Sequence, residues 1–378
     1  MSKLVKILVI ILILAGAWML IAPNYLRTSL IYWYANIDDY TIFENKEVSV
    51  ENGEDWQEDS EYNEYILDSA DRNYLEDNET VAFLVIQNGT VIYEEYWDDY
   101  GTESLSNLFS ATKSIVSLLI GIAIDQGKIN SINDPIGKYL KEFSKDERGN
   151  ITIKNLLTMS SGLDWDEAYS SPTSITTKAY YGKKLREVST NQHLVEKPGV
   201  RFRYQSGNTQ LLSFIIEEAT GETIAKYAER MLWKPMQATQ PALWSLDKKE
   251  GDEKAFCCFN TNARDAARFG QLVLNKGKWN GVQLVSEEYI TEATKAASYL
   301  LNEEKTEPLN FYGFQYWILP YSRMNIPYMR GHLGQYIYSI AEKNTVVVRL
   351  GKQKDKIKQG QITLDIPKYV DIALKIIK

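Results

Sequence analysis

Ser110 and Lys113 stand three residues apart at the head of an apolar run, residues 115–124. Residues with that spacing share a helix face, so the lysine amine can reach the serine hydroxyl. A serine hydroxyl is a poor nucleophile until a nearby base takes its proton. Lysine serves as that base where burial or neighbouring positive charge lowers its pKa. A helix N-terminus adds free N–H groups and a field that favours negative charge. The pair is therefore suited to acyl transfer. The motif alone decides little, because Ser245 and Lys248 repeat it. That second copy leads into the charged stretch 248–254, a solvated loop that cannot desolvate an amine. The plain alternative for Ser110 is a helix N-cap followed by a surface lysine.

Two more segments offer chemistry. Tyr204 and Ser206 lie between Pro198-Gly199 and Gly207-Asn208, turn signals that would present both side chains on a loop ahead of a helix. His332 and Gly334 sit in 330–338, where glycines at the head of a strand allow close approach by a ligand. Residues 155–165 run from a helical pattern into a Gly-punctuated loop. Taken in order, Ser110-x-x-Lys113, Tyr204-x-Ser206 and His332-x-Gly334 resemble the three motifs of the penicillin-binding-protein and β-lactamase superfamily. The segments 156–163 and 267–272 are similar to stretches of its class C-like branch, which holds esterases, D-amino-acid peptidases and nylon-oligomer hydrolases. The resemblance covers roughly residues 80 to 370, far more than a chance Ser-x-x-Lys would.

The resemblance implies roles. Ser110 is acylated, Lys113 handles its proton, and Tyr204 protonates the leaving group and then helps to activate the deacylating water. The oxyanion hole uses the backbone N–H groups of Ser110 and Gln335, since charge develops on the carbonyl oxygen. Ser206, His332, Gly334 and Trp165 fall in the substrate region. A tyrosine with a pKa near 10 needs nearby positive charge to act as a base; Lys113, with His332 adding to it, is the expected source. Trp165, Tyr169, Tyr180 and Tyr181 lie where the branch builds part of its pocket, and each reads equally as a packing residue. Asp164, Asp166 and Glu167 read either as a solvated loop edge or as recognition of a substrate amine. Two departures bear on substrate. Ser206 replaces the Asn common in β-lactamases, and His332 replaces their Lys. A neutral histidine is a weaker carboxylate anchor at pH 7. The expectation is thus a carboxylic ester, short amide or short peptide as substrate. The alternatives are a DD-peptidase or β-lactamase, and an inactive cell-envelope binding protein of the same fold.

Other chemistries find little footing. The chain has two histidines, His193 and His332, and no Gly-x-Ser-x-Gly elbow. Two histidines and the adjacent Cys257-Cys258 give no metal-ligand spacing, so neither a metal nor an organic cofactor is expected. The cysteine pair, flanked by Phe256 and Phe259, reads as buried thiols, with a vicinal disulfide as the sharper alternative. A net charge of −8 argues against nucleic-acid binding.

These residues need elements to hold them. A hairpin is expected from 81–87 and 90–97 around Asn88-Gly89, followed by a buried helix through Leu118-Leu119. Helical patterns follow at 153–159, 211–232 and 262–275. Late strands are expected at 336–341 and 345–350 and a closing helix at 366–377. Strands at both ends with helices between them predict an α+β fold, an antiparallel sheet flanked by helices with a mainly helical insert. Ahead of it, Lys3 and Lys6 precede an uncharged run, 7–22, of roughly 24 Å as a helix, slightly short of the usual hydrocarbon core. The lysine flank favours an N-terminus in the cytoplasm and an exported remainder. Ala15-Gly16-Ala17 resembles a signal-peptidase site; cleavage there would leave an apolar end, which favours a retained membrane anchor. The expected division is a signal or anchor at 1–23, an acidic spacer or lid-like extension at 24–79 and the hydrolase domain at 80–378. Oligomeric state is not legible.

Overall fold

The computed structural model describes residues 2–169 and 171–377. Its centre is a seven-stranded sheet in the order Trp317–Tyr321, Met324–Gly331, Gln335–Ile340, Thr345–Gly351, Thr80–Gln87, Thr90–Tyr96, Gln57–Glu58. All neighbours pair antiparallel except the last two strands, which run parallel. The first and last parts of the chain meet in its middle, where Val347 lies opposite Val85. The Asn88-Gly89 turn has positive φ at both residues, 53° and 81°, as a two-residue hairpin turn requires.

Alternation of side chains sends each strand's residues to opposite faces. Leu84, Ile86, Ile337, Val346 and Val348 join the larger core, while Phe83, Val85, Tyr336, Tyr338 and Val347 join the smaller one. Helix Asp365–Ile376 covers the smaller core through Ile366, Tyr369, Val370 and Ala373. On the other face lies Ala263–Leu274, which Asn262 caps by accepting from the Asp265 N–H. Gly270 lets it approach closely, since a Cβ there would stand 2.7 Å from Val346. The arrangement is α+β, as expected.

Beyond that helix lies the helical region. Thr112–Asp125 is buried over most of its length, and it packs beside Ser206–Thr220. Gln315 ties the two together: its carbonyl accepts from the Ser114 hydroxyl at 2.6 Å and its side-chain oxygen from Thr209 at 2.7 Å. The single helical pattern expected over 211–232 is broken. Ser206–Thr220 ends at Gly221 in a left-handed conformation with φ 75°, and a new helix begins at Ile224.

Two expectations need correction. Residues 24–79 are an extension packed on the rest of the fold and not a solvated spacer. Asn45–Val48 pairs with Ala242–Ser245 in a four-stranded sheet, Gln57–Glu58 edges the main sheet, and Ser69–Asp77 is helical. The acidic stretch folds back because Asp55 and Glu58 pair with Arg264, at 2.8 and 3.0 Å, and Trp56 donates to the Arg264 carbonyl at 2.8 Å. Cys257 and Cys258 form a vicinal disulfide instead of staying thiols. Lys3–Ile21 is helical, with Leu4, Ile7, Leu8 and Ile10 exposed. Among the described residues no helix is long and apolar enough to cross a membrane.

Candidate active site

Ser110 lies in a 3₁₀ turn, Phe109–Ala111, that leads straight into helix Thr112–Asp125. Its N-cap is Ala111, without a side-chain cap bond, so Ser110 is not serving as a cap. Phe109 has φ 45°, a conformation that costs a non-glycine residue about 1–3 kcal/mol and persists only where its surroundings enforce it. Here the Asn107 side chain accepts from the Phe109 N–H at 2.8 Å. Strand Met324–Gly331 abuts the turn, and a Cβ on Gly331 would stand 2.2 Å from the Leu108 carbonyl oxygen.

Lys113, one turn in, is buried to 1% exposure. Its Nζ donates to Ser110 Oγ at 2.9 Å, Ser206 Oγ at 3.1 Å and the Phe256 carbonyl at 2.6 Å. Burial draws its pKa down from 10.5 to about 8, against the Glu167 carboxylate, which raises it. The carbonyl is supplied by the backbone beside the disulfide. That backbone is pinned to the same helix by the Phe259 N–H, which donates to Thr112 Oγ1 at 3.3 Å.

Tyr204 completes the group. Its ring lies 5.2 Å from Lys113 Nζ, centroid to nitrogen, and the Ser110 hydroxyl is near enough to its phenol oxygen to lower its pKa. Tyr312 and Trp317 wall the ring at 6.2 and 5.5 Å. Burial and the Glu167 charge push its pKa well up, more than the neighbouring Ser110 hydroxyl and Arg330 lower it. The expectation of a lowered tyrosine pKa is therefore wrong: Tyr204 is a neutral phenol, able to give a proton.

Ser206 opens helix Ser206–Thr220. The third motif fixes His332 between two rings, edge-on to Phe109 and stacked on Tyr169 at 5° interplanar angle, both with centroids 5.5 Å away. Burial, helped by the positive charge of Lys354, lowers its pKa from 6.5 to about 4, so it is neutral at pH 7. Gly334 adopts φ 85°. The buried Gln335 side chain is occupied, donating to the His332 and Gly351 carbonyls at 3.0 and 2.6 Å, which leaves only its backbone for substrate.

Two residues depart from their reading. Trp165 is 1% exposed, donates to Thr176 Oγ1 at 2.9 Å and lies against Gly207, so it supports the site from behind and does not line it. Glu167 enters the site: it accepts from the Ser206 N–H and hydroxyl, both at 2.6 Å, and from the Tyr169 hydroxyl at 2.7 Å. Its sequence reads either as a loop edge or as recognition of a substrate amine, and no local pattern separates it from Asp164 and Asp166. The segment 155–165 carries the loop that places it: Ser161 donates to Asn208 Oδ1 at 2.7 Å, and Gln205 Nε2 to the Leu163 carbonyl at 2.6 Å. His193 is exposed on this side chain's far loop, held by its N–H to Asp164 at 2.8 Å. No His, Cys, Asp and Glu grouping able to hold a metal occurs among the described residues.

Three motifs gathered around Ser110 and Lys113 invite comparison with known proteins. The sequence profile of the β-lactamase family matches residues 67–365. The chain belongs to the β-lactamase family. Among its relatives, the 6-aminohexanoate-dimer hydrolase of Paenarthrobacter ureafaciens is 26% identical over 317 residues, 79% of this chain and 80% of that one. A Bacillus anthracis structure assigned as a 6-aminohexanoate-dimer hydrolase superposes with a TM-score of 0.74 at 20% identity, covering 94% of this chain and 95% of that one. EstCE1, a hydrolase with promiscuous acyltransferase activity, gives 0.62 at 16% identity over 80% and 96%. The family and the fold are thus those of the serine β-lactamase and penicillin-binding-protein superfamily.

Proposed function

We propose that this protein is an exported serine hydrolase that cleaves a carboxylic ester or short amide through an acyl-enzyme on Ser110. The observation that carries the reading is Lys113, fully buried, its pKa drawn to about 8, with Nζ 2.9 Å from Ser110 Oγ. Once neutral, its lone pair takes the Ser110 proton as Oγ attacks the carbonyl carbon. The oxyanion is assigned to the N–H groups of Ser110 and Gln335, donors that typically contribute about 3–4 kcal/mol each. Tyr204 gives its proton to the leaving alcohol or amine as the acyl bond breaks. The Lys113 ammonium then restores the Tyr204 proton. In deacylation water attacks the acyl carbon, its proton passes to Lys113, and Ser110 leaves and is reprotonated. Glu167 and Ser206 hold the ammonium form between steps. No metal or organic cofactor is called for.

Neutral His332 supports an ester or amide over a β-lactam or D-peptide, whose carboxylate calls for a cation there. Export rests on Lys3, Lys6 and the apolar run that follows, and agrees with a disulfide, which persists in oxidising compartments. The test is steady-state turnover of p-nitrophenyl esters and short amides beside fluorescent-penicillin binding, with Ser110→Ala as control. Turnover that vanishes in Ser110→Ala, with weak penicillin labelling, supports the reading. Turnover unchanged in Ser110→Ala would refute it; rapid penicillin acylation with no ester or amide cleavage favours the DD-peptidase alternative.

A further inference from the structure

Ser110 lies in the wall of a cavity of about 270 Å³, close to the lower end of the roughly 300–1,000 Å³ range of small-molecule pockets. One side is built from the site already described, through Phe109, Tyr169, Phe256, Cys257 and His332. The opposite side comes from the N-terminal segment, through Ser29, Leu30, Trp33, Tyr34 and Ala35. This segment lies outside the 67–365 family match. It is not loosely laid on: helix Asn24–Tyr32 packs on Ile175–Tyr181. Just beyond it the Ile37 carbonyl accepts from the Asn107 N–H at 2.8 Å, and Asp39 accepts from the Tyr180 hydroxyl at 2.7 Å.

Two features define the occupant. The cavity is largely apolar in effect, because most of its serine, threonine and tyrosine hydroxyls are engaged with the protein. Ser29 donates to the Leu26 carbonyl at 2.9 Å, Thr176 to the Asp166 carbonyl at 2.8 Å, Thr177 to the Ser171 carbonyl at 2.8 Å and Tyr180 to Asp39 at 2.7 Å. It is also one-sided. Ser110 lines it, whereas Tyr204, the donor to the leaving group, and Lys113 are not among its lining residues.

We infer that this cavity receives an apolar, elongated acyl group of the substrate, so that the N-terminal segment 29–35 sets acyl specificity. The inference rests on the acyl-enzyme reading above. The leaving group departs on the Tyr204 side, and the acyl chain bonded to Ser110 points between Phe256-Cys257 and Leu30-Trp33. Leu30 and Trp33 are 37% and 63% exposed in the empty protein, and an acyl chain laid along them removes apolar surface from water, the driving force for longer substrates.

The experiment uses the full-length chain and its Leu30→Asp and Trp33→Ala variants, both changes at partly exposed positions. Two series are compared: p-nitrophenyl acetate, butyrate and octanoate, which lengthen the acyl side, and acetates of ethanol, butanol and octanol, which lengthen the alcohol side. Wild-type kcat/KM should rise with acyl length, and the octanoate-to-acetate ratio should fall about tenfold in Leu30→Asp and less in Trp33→Ala. The ratio within the alcohol series should not follow it. A flat acyl series, variants that keep the wild-type ratio, or a loss confined to the alcohol series would overturn the inference while leaving Ser110 catalysis standing. Absence of any turnover sensitive to Ser110→Ala would instead remove the reading beneath it.

Discussion

Lys113 is asked to be an ammonium that holds three acceptors and an amine that takes a proton. Burial makes the second role accessible near neutral pH. Because catalysis needs the deprotonated form, kcat/KM should climb with pH and level off through a midpoint near 8. His332, which titrates at about 4, adds nothing to that limb. Glu167→Gln removes the charge that raises the lysine pKa, so the midpoint should move to lower pH; a midpoint that stays or rises would detach the profile from Lys113. Lys113→Ala should cost roughly a thousandfold or more in kcat, since nucleophile and base act as a unit. Tyr204→Phe separates proton donation from packing. As general acid the tyrosine supplies about 10²–10⁴-fold, so alkyl esters with poor leaving groups should suffer far more than p-nitrophenyl esters. Equal losses on both would make Tyr204 a packing residue. The Ser110 and Lys113 pair was legible because its spacing is local, whereas Tyr204, some ninety residues on, was reached only through the resemblance of the three motifs to a known superfamily. Glu167 was not, since only folding of the 155–169 loop onto the head of helix Ser206–Thr220 tells it from its acidic neighbours.

At the scale of elements, the nucleophile turn is held between its helix and the sheet, and Gly331 marks the contact. Any Cβ there meets the Leu108 backbone oxygen, which cannot swing aside as a side chain can. Gly331→Ala should therefore destabilise by about 1–3 kcal/mol and lower kcat/KM in the folded fraction; thermal unfolding and active-site titration measure the two separately. Elements with strong local signals were readable: the Asn88-Gly89 hairpin, the Asn262-capped helix and the two late strands. The hairpin of Trp317–Tyr321 and Met324–Gly331 was missed. Pro320 and Pro327 break the strand pattern, and they fit because one lies on an edge strand and the other pairs only with that edge.

Across the whole molecule, the acidic stretch after the first helix looked solvated because sequence alone does not show its counter-charge, which lies some two hundred residues away. Arg264 gathers Asp55, Glu58 and Glu94, and the last of these is buried with it. Arg264→Ala leaves the Glu94 carboxylate without its ion-pair partner and should cost about 3–5 kcal/mol, read from denaturant unfolding. A cost under 1 kcal/mol would mean that the N-terminal extension is not fastened there. Fold class could be read because it follows from periodicity, and the motifs because their order resembles that of a known superfamily. The second wall of the cavity could not, since it arises from contacts between the first forty residues and the middle of the chain.

The most direct measurement is the mass of the covalent intermediate. Full-length protein treated with an alkyl fluorophosphonate, then digested and mapped, should carry one adduct on the peptide containing Ser110. Labelling should accelerate as pH rises through about 8 and be absent in Ser110→Ala. An adduct on another residue, or equal labelling of wild type and Ser110→Ala, would contradict the account at its centre.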